Sequence, residues 1–212
     1  MRGGLVIKMK NKKLVLASII SFLIFIFVLI EIFYGGFLVN LDLKISFLVT
    51  KIQNPIFTGL AKAMDLIFDT KSLIVVFIII SVFLFCQNHK RKSIFFVLTM
   101  LANVILLYLI KGLVARARPL NPLVVNNDFS FPSGHAASSV VFFGLLAYFV
   151  FSKSKNKDLR FFIVLVSVFI ILLIGFSRIY LNVHWFSDVI GGLTLGLFIL
   201  ALASFINKLR IR

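Results

Sequence analysis

Cysteine, proline and acidic residues are scarce in this 212-residue chain, which holds one Cys, four Pro and seven Asp plus Glu. The single Cys86 lies inside an apolar run. It excludes an intrachain disulfide framework and a cysteine-based metal site, and is read as packing. Pro55, Pro119, Pro122 and Pro132 all fall between apolar runs, so no long helix is interrupted. The shortage of acids leaves 23 Lys plus Arg almost unopposed, a formal charge of +16, with a pI near 10.4. Such an excess suits nucleic acid only where it forms a basic face on a soluble fold. Here the charges sit between apolar spans, which excludes a nucleic-acid partner. Internal repeats, low-complexity tracts and flexible linkers are missing too.

What the chain has is apolar length. Hydrophobic residues make up 61% of it, 26 of them phenylalanine, and the mean hydropathy is +1.10. A soluble domain cannot hide that much apolar surface, so the expectation is an all-α, polytopic membrane bundle forming one domain over 1–212. A spanning helix needs about 20 apolar residues. Six segments supply or approach that number: 14–34, 72–87, 93–110, 136–151, 161–176 and 186–206. The basic stretch 1–13 precedes a run too long for a signal peptide and without a small-residue cleavage pattern, so the first helix is read as retained.

Basic residues collect on the cytoplasmic side of membrane proteins. One set of connections carries Arg2, Lys8, Lys10, Lys12 and Lys13, then Lys90, Arg91 and Lys92, then Lys153, Lys155, Lys157 and Arg160, and finally Lys208, Arg210 and Arg212. These are fifteen of the 23, and they predict cytoplasmic termini in a cell-membrane protein. The first outer connection, 35–71, is too long to be structureless. Leu41, Ile45, Leu48, Val49 and Ile52 share one helical face, opposite Lys44, Ser46, Thr50, Lys51 and Gln53. That pattern fits a helix lying in the membrane interface or a cap packed over the bundle.

Three clusters face the outer side. In KGLVARARP, Lys111 and Arg118 are seven residues apart, roughly 10 Å along one face of a helix that Pro119 is expected to end. In FPSGHAASS, Pro132, Ser133 and Gly134 make a turn and His135 opens the fourth span, where free backbone N–H groups can cradle an anion. In GFSRIYLNVHWFSD, Arg178 is followed by His184 and Asp188, whose four-residue spacing lets the carboxylate hold one ring nitrogen once the sixth helix begins. Taken singly, each cluster reads as a head-group anchor, a helix cap or a buried hydrogen bond. Their coincidence on one face of the membrane is what structural anchoring does not require. Two histidines and an aspartate could also ligate a metal, but the neighbouring cations would repel it and suit a phosphate instead.

Lys111-x6-Arg118-Pro119, Pro132-Ser133-Gly134-His135 and Ser177-Arg178-x5-His184-x3-Asp188 resemble, in order, the three-part signature of the type 2 phosphatidic acid phosphatase and vanadium haloperoxidase superfamily. The six-span layout is similar to its integral-membrane lipid phosphatase branch. The resemblance implies a hydrolase that needs no metal or other cofactor. It implies His184 as nucleophile, Asp188 holding its tautomer and His135 as acid and base. Lys111, Arg118, Arg178, Ser133 and Gly134 would bind the phosphoryl oxygens. Arg116 is not a family position.

A lipid phosphate or diphosphate is the implied substrate, met at head-group depth on the extracytoplasmic face. A polyprenyl (undecaprenyl) diphosphate is favoured over phosphatidylglycerophosphate or phosphatidic acid, because an outward site meets a spent carrier where it is released. Arg116 offers an extra cation for a second phosphate. A lipid phosphotransferase using the same histidine is the alternative chemistry. A transporter would need more polar groups at mid-membrane than Asn103 and its few neighbours provide.

Overall fold

The computed structural model describes residues 2–210, all its regular elements being helices: α1 (Arg2–Tyr34), α2 (Phe37–Ile52), α3 (Pro55–Ile67), α4 (Thr70–Cys86), α5 (Lys90–Val114), α6 (Gly134–Lys153), α7 (Lys157–Tyr180) and α8 (Phe186–Arg210). Arg212, counted in the charge asymmetry, lies outside the described residues, as do the side chains of Arg2, Lys8, Lys10 and Arg210. Among the described residues five helices, α1, α5, α6, α7 and α8, are long and apolar enough to cross a membrane. The expected second span is α4. Its 17 residues reach only roughly 26 Å, short of a bilayer core of about 30 Å. Together with α3, across a 45° bend, it forms a sixth candidate. The bend follows from local chemistry: Asp69 caps α4 by accepting from the Lys71 N–H at 3.1 Å, so the chain restarts there.

The central helix is α8, which packs on α1, α5 and α6 and touches α2 and α7 at the end nearest its start. Small residues permit this. A Cβ on Gly192 would lie 2.4 Å from the Ser133 carbonyl oxygen, and one on Gly196 2.6 Å from that of Ala137, so α8 lies nearly against the backbone of α6. Phe25, Phe96, Phe131, Val141 and Leu145 fill the buried core between these helices. In contrast, α7 presents Phe161, Leu165, Phe169, Leu172 and Phe176 outward, as a lipid-facing helix does.

The connection 35–71 holds two helices rather than one. Asn54 accepts from the Phe57 N–H at 3.0 Å and Pro55 opens α3, a capped start followed by a proline at the first helical position. The corner between them is pinned to α7, since Gln53 donates to the Tyr180 carbonyl and the Asn54 N–H to the Tyr180 hydroxyl, both at 2.9 Å. The expected apolar face of α2 is corrected. Leu48 and Ile52 are exposed, while the buried set is Leu38, Asp42 and Val49, with Leu41, Ile45 and Ser46 partly covered. The face is rotated because two polar residues are bonded inward: Ser46 to Asn182 at 2.8 Å and Asp42 to groups beside the start of α8. Both helices therefore cap the bundle at the end where the three motifs meet.

Candidate active site

Antiparallel packing of α5 to α8 brings the last turn of α5, the first turn of α6, the last turn of α7 and the approach to α8 to one end of the bundle. Lys111, Gly134, His135, Arg178 and His184 then line a single cavity of about 680 Å³, together with Arg118 from the α5–α6 loop. Ile74 from α4 and Val104, Leu107 and Tyr108 from α5 form its apolar wall. The helix carrying Lys111 does not continue to Pro119, contrary to expectation. It ends at Val114 because Ala115 takes the left-handed conformation at φ 48° and returns its N–H to the Lys111 carbonyl. Lys111 and Arg118 still converge, now through the fold of the loop.

Two carboxylates hold the cations in pairs. Asp128 accepts from Lys111 Nζ at 2.9 Å and from Arg118 Nη2 at 2.6 Å. Burial alone would raise the Asp128 pKa, but the hydrogen bond and charge of Lys111, joined by Arg118, outweigh it and bring it down to about 2. Asp65, from α3, bridges Arg178 Nη1 and His135 Nε2, the latter at 3.1 Å, with Asp69 3.6 Å from the same nitrogen. Arg178 is 1% exposed, and its second terminal nitrogen, Nη2, has no hydrogen-bond partner among the described residues. The anionic partners thus come from elements that close over the site.

His184 sits two residues before α8 begins, not on the helix with Asp188. Its Nε2 lies 3.4 Å from Arg118 Nη1. Its Nδ1 lies 3.5 Å from Asp188 Oδ2 and makes no hydrogen bond there. Burial lowers the His184 pKa well below its usual 6.5, and the charges of Arg118 and Lys111 push the same way, so the imidazole is neutral at neutral pH. Asp188 is fully buried. Its Oδ2 accepts the Trp185 N–H at 2.9 Å, closing the start of α8 in the manner of a capping box.

Two expectations need correction. Ser133 is fully buried and does not line the cavity: its N–H donates to the Asp188 carbonyl at 3.0 Å and its hydroxyl oxygen caps α6, which leaves only the hydroxyl hydrogen uncommitted. The Gly134 backbone remains on the cavity wall. Arg116, expected as a spare cation, does not line the cavity. Its guanidinium is bonded to Asp188 Oδ1 at 2.6 Å and Asp42 Oδ2 at 2.7 Å. Sequence reasoning missed Asp42, Asp65, Asp69 and Asp128. Their scarcity was the available signal: of seven acids, all but Asp158 lie in the helix ends, loops and capping helices at this end of the bundle. Among the described residues no three His, Cys, Asp or Glu side chains are grouped to hold a metal ion.

Fold and site together define a class. Residues 92–212 match the PAP2 superfamily, and the chain belongs to it. It is a membrane-spanning lipid phosphatase, similar over most of its length to phosphatidylglycerophosphatase B of Bacillus subtilis (strain 168), with 28% identity over 183 residues, 84% of this chain and 89% of that one. Lipid phosphate phosphatase delta of Arabidopsis thaliana is 28% identical over 83 residues, which are 38% of this chain and 20% of the plant protein. The crystal structure of a transmembrane PAP2-type phosphatidylglycerolphosphate phosphatase from Bacillus subtilis superposes with a TM-score of 0.84 at 25% identity, covering 92% of this chain and 97% of that one. Aquifex aeolicus LpxE, at TM-score 0.58 and 22% identity over 77% of this chain and 94% of that one, shares the fold.

Proposed function

We propose that the protein hydrolyses a lipid phosphate at the extracytoplasmic face through a phosphohistidine on His184. The observation that carries this reading is the buried, neutral His184 in a cavity ringed by Lys111, Arg118 and Arg178. With Nδ1 protonated and turned to Asp188, the Nε2 lone pair faces the cavity and attacks phosphorus. The N–P bond forms as the bond to the lipid oxygen breaks, and protonated His135 gives its proton to that oxygen. His135, now neutral, takes a proton from water as its oxygen attacks the phosphohistidine, and inorganic phosphate leaves. Lys111, Arg118, Arg178 and the Gly134 N–H stabilise the equatorial oxygens. The arriving phosphate takes over cations that Asp65 and Asp128 hold beforehand, which spares the empty site uncompensated buried charge.

For the substrate, similarity to phosphatidylglycerophosphatase B supports phosphatidylglycerophosphate. The polyprenyl diphosphate reading keeps its argument from an outward site but loses Arg116, which is committed to Asp42 and Asp188. Purified protein in mixed micelles, assayed for free phosphate at equal surface concentrations of phosphatidylglycerophosphate, phosphatidate and undecaprenyl diphosphate, decides between them. The highest kcat/KM is expected for phosphatidylglycerophosphate, as a preference rather than exclusivity. A higher value for the diphosphate would restore the carrier-lipid reading. Loss of substrate without release of phosphate would point to transfer onto another lipid.

A further inference from the structure

Arg116 pairs with two buried carboxylates and does not line the cavity. Its Nη1 donates to Asp188 Oδ1 at 2.6 Å and to Ser187 Oγ at 2.7 Å, while Nη2 donates to Asp42 Oδ2 at 2.7 Å. The guanidinium carbon lies 5.5 Å from the centre of the Trp185 ring. Asp42 reaches across from α2 and accepts twice from Ser187, from its N–H at 2.8 Å and its hydroxyl at 2.6 Å. Asp42, Ser187 and Asp188 are each at most 1% exposed. A network buried this deeply beside a reactive site needs a reason, since two carboxylates and one guanidinium carry a net negative charge out of water.

The geometry supplies the reason. Asp188 has two oxygens and two tasks: one must stay fixed so that the other can face His184. Arg116 ties down Oδ1, and the Trp185 N–H fixes Oδ2 from the side, leaving Oδ2 directed at His184 Nδ1 3.5 Å away. Without the cation, a carboxylate buried that deeply favours its neutral form or turns toward another donor. In either case it no longer selects the tautomer that leaves Nε2 free. Asp42 serves the same end at one remove, because the fork of Arg116 spans both carboxylates and neither contact alone fixes its plane.

We propose that Arg116 and Asp42 are positioning residues for His184, acting through Asp188, so that the capping helix α2 is tied to the nucleophile by two buried ion pairs. The inference rests on the reading of His184 given above. Its test compares Arg116→Gln, Arg116→Lys, Asp42→Asn, Asp188→Asn and Arg116→Gln/Asp188→Asn with wild type and His184→Ala, using detergent-solubilised protein that elutes as a single species. Arg116→Gln is expected to lower kcat roughly 10- to 100-fold, with KM changed less than about threefold because the side chain does not meet substrate. Arg116→Lys, which keeps the charge and loses the fork, falls between, and Asp42→Asn follows the same pattern more weakly.

Combined with Asp188→Asn, the Arg116 change should add almost nothing further, as expected of residues acting in one chain. Should Arg116→Gln be too unstable to purify, Asp42→Asn and Arg116→Lys carry the same kcat-against-KM split. A rise in KM at constant kcat would make Arg116 a substrate ligand and overturn the proposal. So would normal kinetics with lowered thermal stability, or full additivity with Asp188→Asn. If His184→Ala retains turnover, the nucleophile assignment fails and this inference falls with it. If His184→Ala is inactive while Arg116→Gln is normal, only the positioning role fails.

Discussion

A neutral histidine held among three cations is the least ordinary residue in the protein. An isolated imidazole would gain its proton as pH falls through about 6.5, but burial and the charges of Arg118 and Lys111 lower the His184 pKa well below that. In a variant with His89 and His135 replaced by glutamine, His184 is the sole histidine. Its ring resonances are expected to report a neutral imidazole as pH is lowered through 6.5, and titration at or above 6.5 would contradict the account. As pH falls below 6.5, the unfolded chain binds a proton here that the folded chain refuses. The contribution is fully present above 6.5 and declines as pH falls toward the folded pKa. At this scale the motif residues were legible because ionisable groups stand out in so apolar a chain. Asp128, Asp65 and Asp42 were not, since each reaches the site across a loop or helix packing that no local pattern encodes, and Arg116 was misread because its partners are 74 and 72 residues away.

Helices position these residues by how closely they approach one another. Gly192 is the tightest point that matters to the chemistry, because an added methyl would meet the Ser133 carbonyl, a backbone atom that cannot turn aside. The same turn donates the Ser133 N–H to Asp188 and opens onto His135. Gly192→Ala is therefore expected to cost about 1–3 kcal/mol of stability, as overpacking does, and to lower kcat by more than tenfold. Gly59→Ala on α3, where nothing lies within 4 Å, should leave kcat unchanged and stability no lower, since alanine is the better helix former. A normal kcat in Gly192→Ala with an intact fold would show that the α6–α8 approach does not set the site. Hydropathy made the spans legible. The end of α5 is not legible, because Pro119 is the terminator that the sequence offers, whereas Ala115 stops the helix four residues earlier by adopting a conformation rare for alanine. The Asn54-Pro55 start of α3 carried a readable signal that hydropathy alone overlooks.

For the whole molecule the cavity, the capping helices α2 and α3 and most of the acids share one end, and the lysine-rich turns at Lys90–Lys92 and Lys153–Lys157 share the other. This polarity supports an outward site under the positive-inside rule. With Cys86 replaced, a cysteine at Asn126, on the cavity rim, is expected to react with an impermeant thiol reagent in intact cells. One at Lys155, in the α6–α7 turn, is expected to be protected, and reversed labelling would turn the protein over. The proposed phosphohistidine joins substrate to protein through His184. Acid-labile phosphate should be trapped on the wild-type chain during rapid quench of a labelled lipid phosphate, and should persist when His135→Ala slows its hydrolysis. It should be absent from His184→Ala. A chain that turns over with no trapped phosphate, or one that still carries it after His184→Ala, would contradict the account.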